Sequence, residues 1–542
     1  MKYCFIISIL LRSVLTLGND IKGEKDPNEV RYITNNKRVP NEAVQRASRS
    51  GQAWQEFIAN NGTWYVSFNE ETRLPGIAYG KPIIVKGATP EQKAMSFIQQ
   101  NLEGFNIPTD QLELKKVVEG KHNTYVNFTQ LYQGLQVLNS RLKVKLTENG
   151  EVIQFKSDIY NIELSVAPTI TPESAIQAGQ DGIVGEIVAI HPNPELAVLP
   201  IPVNLEMEYH LVYQMEIETI DQNRIPGRYQ TLVDANTGKV LSRKNLVVHH
   251  GAEDHSDGNE HAPGGPTVTV SATVYEESPL VAPVLNGLPN LDVQQGINNY
   301  STDQNGNISG GIGTGNANVR LSGLWSYVQT NGVTPEFDVS VINGANNISF
   351  DSDATVQQLS AYYHVNIVHD YMKTKFPAFT DMDNALQTNV DVAGDCNAFY
   401  NGSSINFYLE GNDCTSFATV ADVVYHEYGH GINDKYYQDQ GGFFQNGAMG
   451  EGYADIWAMG ITLSPILGPG TSISDPSSYI RRYDIDPKVY PIDIVGEVHA
   501  AGEIIAGAWW DLGQIWGDVQ QMMDLFSESF NATITGPDGD EG

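Results

Sequence analysis

The chain has 542 residues, 41% of them hydrophobic, which is enough for three or four globular domains with separate cores. Its formal net charge is −33, from 65 acidic and 32 basic residues. A surface this acidic repels a phosphate backbone, so the charge argues against a nucleic acid as partner.

The N-terminal stretch resembles a secretory signal peptide. A short apolar run from Tyr3 to Leu11 follows Lys2, and the chain turns polar after Gly18. This run is too short to span a membrane as a helix, and no later stretch is long and apolar enough to do so. We therefore predict that residues 1–18 are a signal peptide and that the mature protein is secreted, without a membrane span.

Two small α+β units are predicted next, over residues 51–165 and 166–248. In the first unit, a helical pattern from Gln92 to Leu102 precedes alternating, strand-like runs, two of which are joined by an Asn149-Gly150 turn typical of hairpins. In the second unit, a helical pattern again precedes alternating runs. Both units are long enough for a small core of their own.

Residues 249–266 are polar and rich in His, Gly and acidic residues. Such a composition cannot bury a core, so we predict an exposed linker that is a site of proteolytic cutting. Its histidines could bind a metal adventitiously, but a solvated linker is the favoured interpretation. The remaining residues, 267–542, form the largest predicted unit.

A long helix is predicted in this unit from Asp353 to Phe376. Its histidines, His364 and His369, are predicted to be packed or solvated, because a separate motif already supplies a complete set of metal ligands. The apolar positions fall on one side of the helix; they are Val356, Leu359, Tyr363, Ile367 and Tyr371.

Three cysteines occur in the chain, and Cys4 would leave with the signal peptide. Cys396 and Cys414 remain and bracket a strand-like segment. In an oxidising compartment we predict that they form one disulfide. The alternative is a pair of buried free thiols.

The segment after Cys396 has the pattern of an edge strand. Such a strand could bind an extended peptide through main-chain hydrogen bonds, and Asn397 and Ala398 are the best placed residues for this contact. The alternative is a hairpin with a turn asparagine.

The strongest chemical signal is the sequence His426-Glu427-Tyr428-Gly429-His430, an H-E-x-x-H pattern. At 3.6 residues per turn, His426 and His430 project from one face of a helix, so both can reach one metal while Glu427 stands beside it. Catalytic zinc keeps three protein ligands and one open position. We therefore predict two zinc ligands, a general base and a third ligand elsewhere.

Glu451 and Asp455 are also four residues apart and so share a helical face. We predict that Glu451 is the third zinc ligand and that Asp455 accepts the spare N–H of a zinc-bound imidazole, that of His426, which fixes its tautomer. The alternative for Asp455 is an ordinary solvated helix carboxylate.

Two later residues could supply donors to a developing oxyanion. A hydrolase needs a cationic group or an N–H aimed at the carbonyl oxygen, and Arg481 and His499 are suitable. We predict that His499 stabilises the tetrahedral oxyanion. The alternative is a structural histidine.

Together these residues resemble the thermolysin-like metalloendopeptidases, which are gluzincins with H-E-x-x-H and a downstream Glu. Two segments resemble the thermolysin branch: Asn397-Ala398-Phe399-Tyr400-Asn401-Gly402 and Asp422-Val423-Val424. Others resemble the fungalysin branch: Met449-Gly450-Glu451-Gly452, Ile480-Arg481-Arg482-Tyr483 and Glu497-Val498-His499-Ala500 with Gly502-Glu503.

The resemblance implies an α+β fold whose catalytic domain has two lobes with a central zinc-binding helix. It also implies that Asn397 and Ala398 bind the substrate backbone, that Arg481 contacts a substrate carbonyl and that His499 stabilises the transition state. Residues 51–165 resemble a fungalysin/thermolysin propeptide module, and residues 166–248 resemble a PepSY module. By resemblance, these modules assist folding and inhibit the enzyme until the linker is cut.

The chain departs from the family pattern in three places. Gly441 and Gly442 stand where a second oxyanion-binding tyrosine is expected. Asp422 matches one ligand of the family's calcium (Ca²⁺) sites, but Thr462 stands where a later carboxylate is expected. Few residues follow His499, which predicts an incomplete C-terminal lobe.

We therefore expect a secreted zinc endopeptidase made as a zymogen, with protein or peptide substrates. Zinc (Zn²⁺) would lower the pKa of its water toward about 7, and Glu427 would take the proton and pass it to the leaving amine. One alternative is a zinc aminopeptidase, although a G-x-M-E-N-like motif is missing. Another is a non-catalytic, zinc-stabilised binding or adhesion protein, against which the presence of Glu427 argues.

Overall fold

The structure is a computed structural model that describes residues 28–30, 41–120, 122–203, 205–220, 226–245, 266–308, 311–440, 446–494 and 497–532. The predicted signal peptide, the linker up to residue 265, Gly441 and Gly442, and the last ten residues lie outside this part of the chain. Among the described residues, no helix combines the length and the apolar character needed to cross a membrane.

The described residues contain helices in all three predicted units. They are α1 Glu42–Ser50, α2 Gln52–Asn61, α3 Pro90–Asn101, α4 Pro172–Gly179, α5 Val356–Lys375, α6 Ala421–Asp439, α7 Gly447–Thr462, α8 Val498–Trp516 and α9 Val519–Ala532.

Strands make up most of the first two units and the first half of the third. In the first two units they are β1 Trp64–Phe68, β2 Pro75–Ile83, β3 Leu112–Glu119, β4 Asn123–Tyr132, β5 Leu135–Val137, β6 Arg141–Thr147, β7 Val152–Asp158, β8 Glu186–Val203, β9 Glu206–Ile220, β10 Pro226–Asp234 and β11 Val240–Asn245. In the third they are β12 Thr267–Val274, β13 Val284–Gly287, β14 Leu291–Gln295, β15 Asn298–Ser301, β16 Asn307–Ile308, β17 Gly315–Gly323, β18 Ser326–Gln329, β19 Glu336–Val341, β20 Ala345–Ser349, β21 Leu386–Asp395, β22 Ala398–Tyr400, β23 Ser404–Leu409, β24 Ile466–Leu467 and β25 Arg481–Arg482.

The two N-terminal units share one continuous sheet. Its strand order is β1-β2-β7-β6-β4-β5-β8-β9-β10-β11, and β3 pairs with β4 beside this path. The short strand β5 makes the join, because it pairs with β4 and, in parallel, with β8. Mixed helix and strand structure is thus confirmed, whereas the domain bounds stay a prediction.

The predicted hairpin turn between β6 and β7 is present. Gly150 has a φ of +75°, a backbone conformation that favours glycine, and its N–H donates to the Thr147 carbonyl at 2.7 Å. This turn fixes the register in which β6 and β7 pair.

The third unit has two larger sheets, a two-stranded sheet of β24 and β25, and helices α5 to α9. A four-stranded sheet contains β13-β12-β16 with β20, and an eight-stranded sheet has the order β15-β14-β17-β18-β21-β23-β22 with β19 on β17. Apolar side chains from both sheets and from α5 to α9 form one contiguous core. Strand β22 is at the outer edge of the larger sheet, next to α6.

The buried face of α5 differs from the predicted one. Tyr363, Ile367 and Tyr371 are only partly buried, whereas Tyr362 and Val365 are completely buried. The helix contacts strands of the sheets as well as α6 and α9, so it is covered on more than one side. Its burial therefore does not follow a single apolar stripe.

The two histidines of α5 are packed rather than solvated. His364 is fully buried between the Tyr425 hydroxyl at 2.8 Å and the Tyr275 carbonyl at 2.7 Å, and burial lowers its pKa to about 4. His369 stacks on Trp325 with ring centroids 3.7 Å apart. Both side chains are thus packed in the core.

A disulfide joins Cys396 and Cys414, 18 residues apart. Cys396 lies two residues before the edge strand β22, and Cys414 forms a β-bridge with Ser472 in the loop after α7. The bond therefore ties the edge strand to a loop near the functional helices.

Replacing both cysteines with serine is expected to lower the free energy of unfolding by about 3 kcal/mol, the value for closing a loop of this size in the unfolded chain. Urea unfolding of the purified, non-reduced protein measures this loss. If the double variant and the parent unfold at the same urea concentration, the bond contributes nothing to stability.

Candidate active site

The H-E-x-x-H residues lie in the middle of α6. His426 and His430 project from one side of the helix, one turn apart, with their Nε2 atoms 3.1 Å from each other. The side chains are largely buried, 7% exposed for His426 and 19% for His430. Two imidazole nitrogens that face each other at this distance are suited to binding one metal ion together.

Glycines allow α7 to pack close to α6 and α8. A Cβ on Gly429 would lie 3.1 Å from Ala454 Cα, and a Cβ on Gly452 would lie 2.3 Å from Ile505 Cγ2. A side chain at either position would push two helices apart. The close packing places Glu451 of α7 beside the two histidines.

The ligand atoms of His426, His430 and Glu451 all lie within 4.8 Å of one another. Glu451 Oε2 is 3.3 Å from His426 Nε2 and 3.6 Å from His430 Nε2. This oxygen is buried and has no hydrogen bond of good geometry. Ligands about 2.0–2.1 Å from a tetrahedral zinc ion lie about 3.4 Å apart, so the three residues fit such an ion.

Asp455 contacts the imidazole of His426 on the side that faces away from Glu451. Its Oδ1 lies 2.6 Å from His426 Nδ1, and Arg481 donates to the carboxylate through Nε and Nη2, each at 2.7 Å. The Tyr483 hydroxyl donates to it as well. With 1% of its surface exposed, Asp455 is not a solvated helix carboxylate.

These contacts shift the pKa values of Asp455 and His426. Burial alone raises the pKa of Asp455, but the charges of Arg481 and His426 outweigh burial and hold this pKa well below its usual value. Burial lowers the pKa of His426, but Asp455 reverses the effect and raises it to about 10. The imidazole therefore keeps a proton on the nitrogen that faces Asp455, and its Nε2 faces Glu451.

Glu427 lies between the histidine pair and the edge strand. Its side chain is 5% exposed, and burial raises its pKa although the two histidines oppose the shift. The backbone N–H of Tyr400 donates to its carboxylate. A carboxylate with a raised pKa is suited to taking up and returning a proton.

The predicted substrate-binding residues begin the edge strand next to α6. Asn397 is exposed, and its side-chain oxygen accepts from the Ala398 N–H at 3.0 Å. Strand β22 pairs with β23 on one side and is the last strand in the sheet on the other. Binding of substrate by these residues stays a prediction.

The structure places Arg481 behind the site rather than on its surface. Its side chain is 9% exposed, and two of its donors are used by Asp455. The pairing of β25 with β24 holds this segment in place. Its predicted contact with a substrate carbonyl stays a prediction.

His499 lies at the exposed rim of the site, near the start of α8. Its Nε2 is 3.3 Å from Glu451 Oε2, its Nδ1 is 2.6 Å from Glu497 Oε1, and half of its side chain is exposed. Glu497 also caps α8 by accepting from the backbone N–H groups of His499 and Ala500. Its role as oxyanion donor stays a prediction.

Sequence reasoning assigned no role to Tyr483 or Glu497, the partners of Asp455 and His499. A signal for each was present. Tyr483 stands two residues after Arg481, so an extended backbone places both side chains on one side. Glu497 immediately precedes a helix, where a carboxylate can cap free N–H groups.

The residues that suggested calcium are used within the protein. Asp422 Oδ1 accepts from the Gly468 N–H at 3.1 Å, and the Thr462 hydroxyl donates to the Ala458 carbonyl. Within the described residues, the single group of three or more potential ligands is His426, His430 and Glu451. The structure therefore supports one metal centre and gives no support for calcium.

Comparisons with known proteins agree with this site. Residues 282–434 match the family of the thermolysin metallopeptidase catalytic domain. The matched segment ends within α6, after His430. Residues 110–159 match the fungalysin/thermolysin propeptide motif, and residues 169–244 match the peptidase propeptide and YPEB domain. The predicted resemblance is confirmed: separate segments of the chain match a thermolysin metallopeptidase catalytic domain and two peptidase propeptide domains.

Among individual proteins, the chain is similar to two bacillolysins. It is 22% identical to the bacillolysin of Bacillus cereus over 464 residues, which cover 77% of each chain. It is 24% identical to that of Brevibacillus brevis over 437 residues, covering 73% of this chain and 72% of the relative. The solved C-terminal domain of Bacillus megaterium YpeB matches 39% of this chain with 15% identity and a TM-score of 0.18.

We expect the Tyr483→Phe variant to bind zinc about tenfold more weakly, because it removes one of the hydrogen bonds that hold Asp455 behind His426. Competition with a chromogenic chelator measures the zinc dissociation constant directly. Tyr479→Phe, in the same loop and 40% exposed, is the matched control and should bind as the parent does. Equal zinc affinities for the parent and Tyr483→Phe would show that Tyr483 does not support the ligand.

Asp422→Asn should increase stability at pH 8.5 relative to pH 4. Burial raises the pKa of Asp422 from 3.8 to about 7, so the stability that this group contributes is full below about pH 4 and is lost as the pH rises through about 7. Asparagine keeps the acceptor for Gly468 but does not titrate. The difference in free energy of unfolding between variant and parent should therefore grow by up to about 4 kcal/mol.

Thermal or urea unfolding at the two pH values, in the presence of a chelator, measures this difference. A difference that is independent of pH would contradict the raised pKa of Asp422. A calcium-dependent gain in the parent that asparagine abolishes would instead show that the carboxylate is ionised and binds the cation.

Proposed function

We propose that the protein is a secreted zinc endopeptidase made as a zymogen, in which His426, His430 and Glu451 bind the zinc ion. The observation that carries this proposal is the spacing of their ligand atoms, 3.1 to 3.6 Å, beside a buried carboxylate that is not a ligand. A zinc ion that only stabilises the fold requires no general base beside it, so Glu427 would have no function at such a site. The family match and the bacillolysin relatives support the same activity.

When bound, zinc supplies a Lewis acid that polarises the scissile carbonyl and lowers the pKa of water. Glu427 then accepts a proton from the attacking water and returns it to the leaving amine nitrogen. Glu427 is buried, and burial raises its pKa, which favours uptake of the proton. Asp455 keeps His426 in the tautomer whose Nε2 faces the metal position.

His499 would donate to the oxyanion that forms on the substrate carbonyl. It is half exposed, and the contact of its Nδ1 with Glu497 Oε1 at 2.6 Å fixes the orientation of the ring. Arg481 has five N–H donors, of which Asp455 uses two, so further donors can face a substrate carbonyl.

An extended substrate would lie along strand β22, with Asn397 and Ala398 contacting its backbone. Strand β22 is at the sheet edge and Tyr400 donates to Glu427, so a peptide bound there would lie close to the general base. This arrangement suits internal peptide bonds. We infer that α6 is the central zinc helix of a two-lobed catalytic domain, as in the related enzymes.

The N-terminal units would act as the inhibitory propeptide of the enzyme. Both match propeptide families, and the first unit contacts the third through Lys143 Nζ, which donates to Gln440 Oε1. We further propose that the protein is secreted and that the N-terminal units are removed when the linker is cut.

Glu427→Gln is expected to lower casein cleavage by two to four orders of magnitude while zinc content stays at that of the parent. Both proteins are assayed after removal of the N-terminal units, with zinc measured by atomic emission. Glu410→Gln, which makes the same chemical change on an exposed carboxylate, is the control and should keep full activity. Zinc-loaded parent that cleaves no faster than Glu427→Gln would contradict the proposal.

A further inference from the structure

One face of the sheet in the first N-terminal unit carries a row of lysines. Strands β3, β4, β6 and β7 are antiparallel neighbours, and their register places Lys116, Asn127, Lys143 and Lys156 side by side. Residues paired in register point to the same face of a sheet. This face is therefore basic in a chain whose net charge is −33.

The lysine row lies against the end of α6. Lys116 pairs with the carboxylate of Asp439, and Lys143 Nζ donates to Gln440 Oε1 at 2.8 Å. Asp439 is the last residue of α6 and Gln440 is its C-cap. The free carbonyls at a helix C-terminus carry partial negative charge, so cations are stabilised there.

The same face also contacts α9. The Tyr125 hydroxyl donates to Glu528, and Asn123 Nδ2 lies 3.5 Å from the same carboxylate oxygen. Gly120 allows the close approach, because a Cβ there would lie 3.0 Å from Glu528 Oε2. A second acidic residue of the catalytic segment is thus held by polar groups of the N-terminal unit.

Charged residues of the second N-terminal unit act electrostatically on α6 between His430 and Asp439. Burial raises the pKa of Asp434, and the charges of Lys435 and of Lys244 in β11 oppose this. Burial lowers the pKa of Lys435, and the charges of Arg228 in β10 and Glu216 in β9 also act on it. Charged groups of both units therefore interact electrostatically with the half of α6 that follows His430.

The contacts between the N-terminal units and the catalytic segment are polar, and this affects how readily the two segments separate. Lysine is depleted in protein interfaces, and permanent interfaces are more apolar than transient ones. Lys143 is only 3% exposed and loses water when the two segments meet, which lowers its pKa. A buried lysine makes the contact weaker than an apolar one of equal area. Such an interface suits segments that must later separate.

We propose that one charged strip on the catalytic segment, made of Asp434, Lys435, Asp439, Gln440 and Glu528, holds the N-terminal units in place after the linker is cut. The strip is recognised by the lysine row and by the charges of β9 to β11. Ion pairs that are partly exposed are screened by salt, so ionic strength releases the units. This inference rests on the proposed zymogen function for its biological setting.

The test uses the full chain carrying Glu427→Gln, so that it does not digest itself. A recognition site for a sequence-specific protease is placed within residues 251–265 and cut after folding. Size-exclusion chromatography over a range of concentrations then gives the dissociation constant of the two fragments. It is measured at about 0.1 M and about 1 M NaCl, between which the Debye length falls from about 10 Å to about 3 Å.

We expect the fragments to stay together at the lower salt concentration and to separate at the higher one. The double variant Asp439→Asn, Glu528→Gln should raise the dissociation constant about tenfold or more at low salt, since it removes charged partners of Lys116 and Tyr125. Glu336→Gln, which removes one charge from the exposed pair with Arg320, is the matched control and should bind as the parent does.

A dissociation constant that is unchanged by salt and by the double variant would overturn the proposal and indicate an apolar interface. If the double variant does not fold, Lys116→Gln on the opposite side of the contact gives the same test, because Lys116 is 38% exposed and tolerates replacement. None of these measurements depends on catalysis. Failure of casein cleavage by the mature parent would therefore contradict the proposed function and leave the salt result intact.

Discussion

The catalytic side of this molecule depends on one buried carboxylate, that of Asp455. Four groups meet there: the His426 imidazole, the two Arg481 donors and the Tyr483 hydroxyl. A carboxylate with 1% exposure would be costly to bury without such partners. Because Arg481 balances its charge, Asp455 can stay ionised and hold the metal-facing nitrogen of His426 in position. Two segments far apart in sequence, α6 and the loop after α7, are joined through it.

Close helix packing supplies the rest of the site. Glycines at positions 429 and 452 let α7 approach α6 and α8, and Glu451 reaches the histidines only because of that approach. The edge strand β22 is held next to α6 by the disulfide at Cys396 and by the Tyr400 N–H that donates to Glu427. The residues proposed as metal ligands, as general base and as substrate edge are thus fixed by separate contacts, which limits their freedom to move apart.

The same helix serves two purposes along its length. Its middle carries the motif, and its C-terminal half meets both N-terminal units through charged and polar groups. Contacts made one turn beyond His430 link the propeptide to the catalytic helix without using the metal ligands themselves. In the proposed zymogen, the N-terminal units would therefore leave without disturbing the charges that hold His426.

The sequence by itself determined the parts of the protein that are local. A spacing of four residues on a helix places His426 with His430 and Glu451 with Asp455, and an Asn-Gly pair places the β6–β7 turn, because both rules depend on neighbouring residues alone. Strand β8 was not predicted: it contains prolines, which disfavour a strand, yet 15 of its 18 residues pair with β9. Only the tertiary structure decided the buried face of α5, the contact of Tyr483 with Asp455, the joined N-terminal sheet and the charged strip. Each of these joins segments distant in sequence, and their packing and electrostatics are set by the whole fold.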